Sequence, residues 1–272
     1  MTSTSAAAPI KLTVKDEIEP QTPTQRVVRR FVRHRAAMAG LFLLIGVFLY
    51  ILIGSFVFSE ADANFNDTSR RLQPPSAEHP FGTDRIGRDI MARTIYGGQI
   101  SLIIGVLAVT VEVVVGTTIG ALSGYYGGRI DSILMRITEA MLSIPSLLLL
   151  LVMAKFFGSK IPAIELFGRT FSGSVIVIIL ILGLTSWMSL ARIVRSNVLS
   201  LKETEFILAA RALGLPNWRI ITGHILPNTL ASIIVALTLG VATAILSEAY
   251  VSFLGLGVQP PTASWGNILT EA

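Results

Sequence analysis

The sequence predicts an all-α, polytopic transmembrane helical bundle, and three observations carry that expectation. Only 14% of the 272 residues are charged, against about a quarter in an ordinary soluble domain. Hydrophobic residues make up 52% of the chain and the mean hydropathy is +0.68. A large core cannot account for this deficit, because a soluble surface must still be solvated. The apolar residues also gather in blocks of bilayer length, since a hydrocarbon core of about 30 Å needs roughly 20 apolar residues in a helix. Arginine and lysine collect between those blocks.

From the N-terminus, residues 1–25 are rich in Thr, Ser, Ala and Pro without an apolar period, which reads as a disordered cytoplasmic tail. The segment RVVRRFVRHR follows, with Arg26, Arg29, Arg30, Arg33 and Arg35 set among valines and a phenylalanine. It reads first as a positive-inside anchor, and second as a short amphipathic helix on the lipid surface. Five apolar blocks come next. Met38–Phe58 carries no charge, and Ile100–Tyr126 carries a single acid, Glu112. Ile137–Phe157 is interrupted by Pro145, Ser174–Ala191 is rich in isoleucine and leucine, and Thr229–Leu254 holds Glu248 near its far end. The chain therefore divides into a tail with a basic segment, 1–37, and a membrane domain, 38–272.

With the N-terminus inside, segments 1–37, 127–136 and 192–228 face the cytoplasm and hold fourteen of the 22 basic residues, against eight elsewhere. That asymmetry, steepest beside the first block, predicts a cytoplasmic N-terminus. It also accounts for the net charge of +5 without nucleic acid. Cysteine is absent, which excludes disulfides, thiolate nucleophiles and Cys-based metal sites. The three histidines, His34, His79 and His224, form no pair at ligand spacing.

Within the blocks, Gly116, Gly120 and Gly124 lie on one helix face and predict close approach of a neighbouring helix. Pro145 removes a backbone donor mid-block and predicts a bend. It has two readings, a pathway-lining kink or a packing feature. Glu112 and Glu248 each cost about 2.5–3.5 kcal/mol or more if ionised in lipid, so each should face the bundle interior, a partner or water. A proton relay needs several such groups in series, and the blocks offer almost none. A structural or gating role is the reading preferred for both.

The loop 192–228 is the most informative stretch. Thr204–Leu213 has helical propensity with an acid at its start, Gly214 is placed to end that helix, and Pro216 can open another. Pro227 should break the chain just before the fifth block. The short helix is expected to expose Ala209, Ala210 and Ala212 beside Phe206, Ile207, Leu208 and Leu213. Such a knob suits a groove on a partner protein, the alternative being a helix lying on the bilayer.

The run AARALG followed by HILPN resembles the "EAA" loop of ABC importer permeases, whose coupling helix sits in a cleft of the ATPase. An acid commonly precedes the two alanines in that pattern. Here Leu208 stands in its place, which removes one possible salt bridge. HPFGTDRIGRDIMARTIYGGQISLIIG (His79–Gly105), GYYGGRIDSILMR (Gly124–Arg136) and SEAYVSFLGLGVQPPTASWGNIL (Ser247–Leu269) resemble the dipeptide/oligopeptide/nickel permeases, C-type subunit.

The resemblance implies the type I ABC importer permease fold, with a sixth span after the Pro-Pro loop that the sequence does not reach by Ala272. It implies ATPase coupling through Phe206, Leu208, Ala209, Ala210, Arg211 and Gly214; the spans themselves offer Pro145 and Glu248 as pathway or gating candidates. It further implies a second permease subunit, two ATP-binding subunits, an extracytoplasmic substrate-binding protein and a multi-pass position in the bacterial inner membrane. No cofactor is expected in this chain. No GxxxxGK[ST] occurs, so ATP and Mg would be bound by the partner ATPases and this chain would not be an enzyme. The competing class is an ion-gradient-driven secondary transporter, which predicts inverted repeats and broken helices around an ion site. A third is a receptor or assembly protein. Dipeptides, oligopeptides, nickel chelates and saccharides all remain open as substrates.

Overall fold

Apolar blocks of this length can satisfy their backbone groups in lipid only as helices, and helices dominate the chain. The computed structural model describes residues 22–271, apart from 159, 163, 167 and 168. Most of the tail read as disordered therefore lies outside the described residues. The chain divides into two compact units, 1–50 and 51–272.

In the first unit, helix α1 (Pro23–Arg33) begins at a capping box in which Thr22 and Gln25 satisfy each other's backbone donors. Residues 23–25 are thus helical rather than tail. Arg26, Arg29, Arg30 and Arg33 fall on one face and Val27, Val28, Phe31 and Val32 on the other. The basic segment is an amphipathic helix, the second of the two readings as far as its conformation goes. His34 interrupts it, and α2 (Arg35–Val57) follows, passing from one unit into the next.

In the second unit, short α3 (Glu60–Asn64) and a turn at Thr68–Arg70 lead to α4 (Ile90–Tyr126), which starts ten residues before its apolar block. Then come α5 (Gly128–Leu142), α6 (Ser146–Phe157), a two-stranded antiparallel ribbon (Ile164–Leu166 with Arg169–Phe171) and α7 (Gly173–Leu201). The last group is α8 (Glu205–Ala212), α9 (Asn217–Ile220), α10 (Leu226–Phe253) and α11 (Trp265–Glu271). The ribbon is the one departure from all-α character among the described residues. Helix α2, α4, α7 and the continuous run Asn217–Phe253 are each long and apolar enough to cross a membrane, and α5 with α6 makes a fifth crossing if that pair is one span.

Two proline expectations change. At Pro145 the third block does not merely bend. Residues 143–145 leave the helix and α6 departs at 84° from α5. Pro227, by contrast, does not break the chain. The five residues Ile221–Ile225 adopt a π-helical turn, and the Leu226 N–H reaches back to the Ile221 carbonyl. The wider register accommodates a ring that would otherwise clash with the preceding turn, so α9, the π turn and α10 run on as one helix.

The core is built on α4 against α7. A Cβ added at Gly120 would lie 2.5 Å from the Ala191 carbonyl oxygen, and one at Gly124 would lie 2.8 Å from Val198 Cβ. At Gly116 it would meet the Trp187 carbonyl at 2.9 Å. The glycine row is what lets the two helices touch backbone to side chain. One apolar cluster (Ile104, Val109, Val175, Ile178, Val251) fills the half of the bundle near the loops 59–89 and 254–264. Another (Tyr125, Val194, Val198, Ile207, Ile220, Ile225) fills the opposite half.

Candidate functional site

The end of the bundle reached by Tyr126 gathers the basic residues of segments 127–136 and 192–228. There the Arg195 guanidinium grips Asp131 with two hydrogen bonds of 2.6 Å, joining α7 to α5. Ser123 on α4 also donates to Asp131. A planar guanidinium fork matched to a carboxylate fixes orientation as well as distance, so three helix ends are locked together. The sequence reading did not single out this pair. Its only trace was Asp131 inside the GYYGGRID stretch, because the two residues lie 64 positions apart.

Helix α8 docks under this junction. It ends in a Schellman motif: Gly214 has φ +79°, its N–H bonds the Arg211 carbonyl, and the Leu215 N–H bonds the Ala210 carbonyl. The Arg211 guanidinium stacks 5.5 Å from the Tyr125 ring centre, and the Tyr125 hydroxyl donates to Asn217 Oδ1 at 2.9 Å. The surface of α8 differs from the expected knob. Ile207 (0% exposed) and Ala210 (7%) turn into the core, because at three-residue spacing they share one helix face. Phe206, Leu208, Ala209, Arg211, Leu213 and Gly214 remain exposed, with Leu213 81% open. Trp218 on α9 continues the apolar surface.

Further along the bundle, α4, α7, α10 and the α5–α6 break surround a cavity of about 530 Å³. Glu112 and Pro145 both line it. Its walls mix apolar side chains such as Leu182 and Met188 with the hydroxyls of Ser186, Ser189, Thr243 and Ser247. A volume of this order accommodates a small organic solute. The break at Pro145 contributes Leu142, Ile144 and Ser146 to the wall, which a straight helix would have carried past it.

Glu248 is elsewhere. It is completely buried and does not line the cavity. Ser101 and Ser252 donate to its two carboxylate oxygens at 3.0 and 2.6 Å. The same serines accept from the Trp265 and Val258 N–H groups at 3.1 and 3.0 Å. Gln259 N–H donates to Ser174 and Trp265 Nε1 donates to the Thr94 carbonyl, so the loop 254–264 is sewn onto α4, α7 and α10. Glu248 is the knot of that packing and is not among the residues that line the cavity.

The loop before α4 is also a folded cap. Asp84, 2% exposed, accepts from the Ile86 and Arg88 N–H groups and from Arg88 Nε at 2.6 Å. Burial alone would raise its carboxyl, but hydrogen bonds from the Arg88 N–H and side chain and the Ile86 N–H outweigh that and hold it below the ordinary aspartate value. Asp89 caps α4 through the Ala92 N–H and lies 2.7 Å from His79 Nδ1. Gly87 (φ +82°) passes so close to the Asp67 carbonyl that no side chain fits.

An apolar multi-helix bundle around a partly polar cavity, with a folded helical loop at its basic end, defines a multi-pass membrane transport subunit. Residues 116–272 match the model of the binding-protein-dependent transport system inner membrane components, and residues 22–75 match that of the N-terminal TM domain of oligopeptide transport permease C. The chain belongs to this family of ABC transporter permeases, which is a transport family and not an enzyme family. The dipeptide transport system permease protein DppC of Bacillus subtilis is 42% identical over 243 residues, 89% of this chain and 71% of the relative. The oligopeptide transport system permease protein OppC of the same organism is 38% identical over 242 residues, 89% and 74% of the two chains. OppC of Mycobacterium tuberculosis is 38% identical over 247 residues, 90% and 80%.

Proposed function

We propose that this chain is one of two permease subunits lining the pathway of an ATP-driven importer of peptides. The observation that carries the reading is continuity. Helices α7 and α10 bracket the α8 loop at the basic end and also wall the cavity. A push on α8 is passed through Ile207 and Ala210 into the packed cluster around Val198 and Ile220, and packed interiors transmit displacement rather than absorb it. In this reading two ATPase subunits, which bind ATP and Mg, receive the exposed face of α8 (Phe206, Leu208, Ala209, Arg211, with Gly214 setting the exit). The second permease covers the open side of the cavity. The substrate-binding protein docks at the opposite end, against the loops 59–89 and 254–264, with the N-terminus cytoplasmic. The peptide class follows from what the relatives' names say they transport.

The test is reconstitution with a partner permease, ATPases and binding protein. Leu208→Asp and Gly214→Leu should each leave membrane insertion intact while abolishing ATP-driven dipeptide uptake and substrate-stimulated ATP hydrolysis. Ala210→Asp is the wrong probe, since it buries a charge in the core. Normal uptake by both variants, or uptake driven by an ion gradient without ATP, would overturn the reading.

A further inference from the structure

The two acids within the spans are treated oppositely by the fold. Glu248 is enclosed and has a serine for each oxygen. Glu112 lines the cavity, and among the described residues no side chain or backbone group bonds to its carboxylate. It lies fourteen residues before the end of α4, which places it about 21 Å along the axis from the basic end at a rise of 1.5 Å per residue. It is the one ionisable group among the residues lining the cavity. Gly240 on α10 faces it: a Cβ there would stand 3.4 Å from Glu112 Oε2, so the glycine leaves the carboxylate uncovered. A carboxylate at this depth is costly unless water or a cation attends it, and none of the described residues attends this one.

Around Glu112 stand hydroxyls that can turn between their own helix carbonyls and a solute. Thr243 donates to the Leu239 carbonyl, while Ser186, Ser189 and Ser247 make no protein hydrogen bond among the described residues. One carboxyl group, several rotatable hydroxyls and apolar walls of Leu182 and Met188 complement a small solute bearing one cationic head. We propose that Glu112 is the ammonium-recognition point of the pathway, pairing transiently with the α-ammonium group of a peptide crossing the cavity. This rests on the importer reading above and adds a specific site to it.

The chain has no native cysteine, so a charge-rescue experiment is direct. Complete transporter, with cysteine-free partner subunits, is reconstituted and radiolabelled dialanine uptake is measured at saturating binding protein. Loss of a charge-assisted hydrogen bond corresponds to about tenfold or more, so Glu112→Gln and Glu112→Cys should fall about tenfold in uptake rate with assembly unchanged. Treating Glu112→Cys with an anionic ethylsulfonate thiosulfonate should restore uptake, and the trimethylammonium analogue should not. Equal restoration by both reagents, or full uptake by Glu112→Gln, overturns the proposal. Loss of the second permease from purified Glu112→Gln complexes also overturns it, because the carboxylate would then be an intersubunit contact. If wild-type transporter takes up neither dialanine nor longer alanine peptides, the peptide reading itself falls and the proposal with it.

Discussion

Gly120→Ala isolates the contact on which the bundle is built. Alanine favours a helix interior over glycine by up to about 1 kcal/mol, so local propensity predicts a more stable protein. The structure predicts the reverse. The new Cβ would meet the Ala191 carbonyl oxygen at 2.5 Å, Val194 Cβ at 2.8 Å and the Arg195 nitrogen at 3.1 Å. Backbone atoms cannot rotate away, so α7 must retreat by nearly an ångström along a stretch that also holds the Asp131 grip and the floor beneath α8. Overpacking of this kind costs about 1–3 kcal/mol, which leaves a net loss of up to about 2 kcal/mol after the propensity gain. At roughly 2–4 °C per kcal/mol, the unfolding midpoint in detergent should fall by up to about 8 °C. Gly46→Ala on α2 is the matched control, since a Cβ there has nothing within 4 Å, and it should be neutral or stabilising. If Gly120→Ala is as stable as Gly46→Ala, close packing of α4 on α7 is not what the glycine row provides.

Other perturbations test separate parts of the molecule. Arg195→Met should destabilise by about 1–3 kcal/mol by stranding Asp131, and Asp131→Asn in the same chain should recover part of that; chemical denaturation in detergent showing no coupling between the two would refute the lock between α5 and α7. The Asp84 carboxyl is held below its unfolded value near 3.9. Its contribution is therefore present above about pH 4 and lost as the pH falls further. Hydrogen exchange over residues 82–90 should stay protected from pH 8 to 5 and open only in acid, and opening between pH 6 and 7 would refute the assignment to Asp84. Ser76→Cys should react with an impermeant thiol reagent from outside the cell and Glu203→Cys only after permeabilisation; the reverse pattern would invert the proposed orientation.

The features legible in the sequence are those set by local chemistry. Helical spans follow from the absence of water in the bilayer core, the glycine row from four-residue spacing, and the end of α8 from a Gly214 that can adopt φ +79°. Four ordered motif stretches were enough for the family. The coupling candidates Phe206, Leu208, Ala209, Arg211 and Gly214 do lie on the exposed surface of that loop, and Pro145 does line the cavity. Which face of α8 would turn inward was not legible, because Ile207 and Leu208 are equally apolar neighbours. Only the position of Val198 and Ile220 beneath the helix selects Ile207.

The tertiary structure decided whatever depends on partners distant in the chain. Two acids look alike along the sequence, yet Glu248 meets Ser101 from 147 residues away and becomes part of the core, while Glu112 meets open space. Two prolines look alike as helix breakers, yet one starts a helix turned by 84° and the other is absorbed by a π turn. The sequence by itself determined the helices, the basic asymmetry between loops and the family. Burial, cavity walls and the pairing of charges came only with the packed bundle. A side chain's free energy depends on the groups that close around it, and those groups are contributed by other helices.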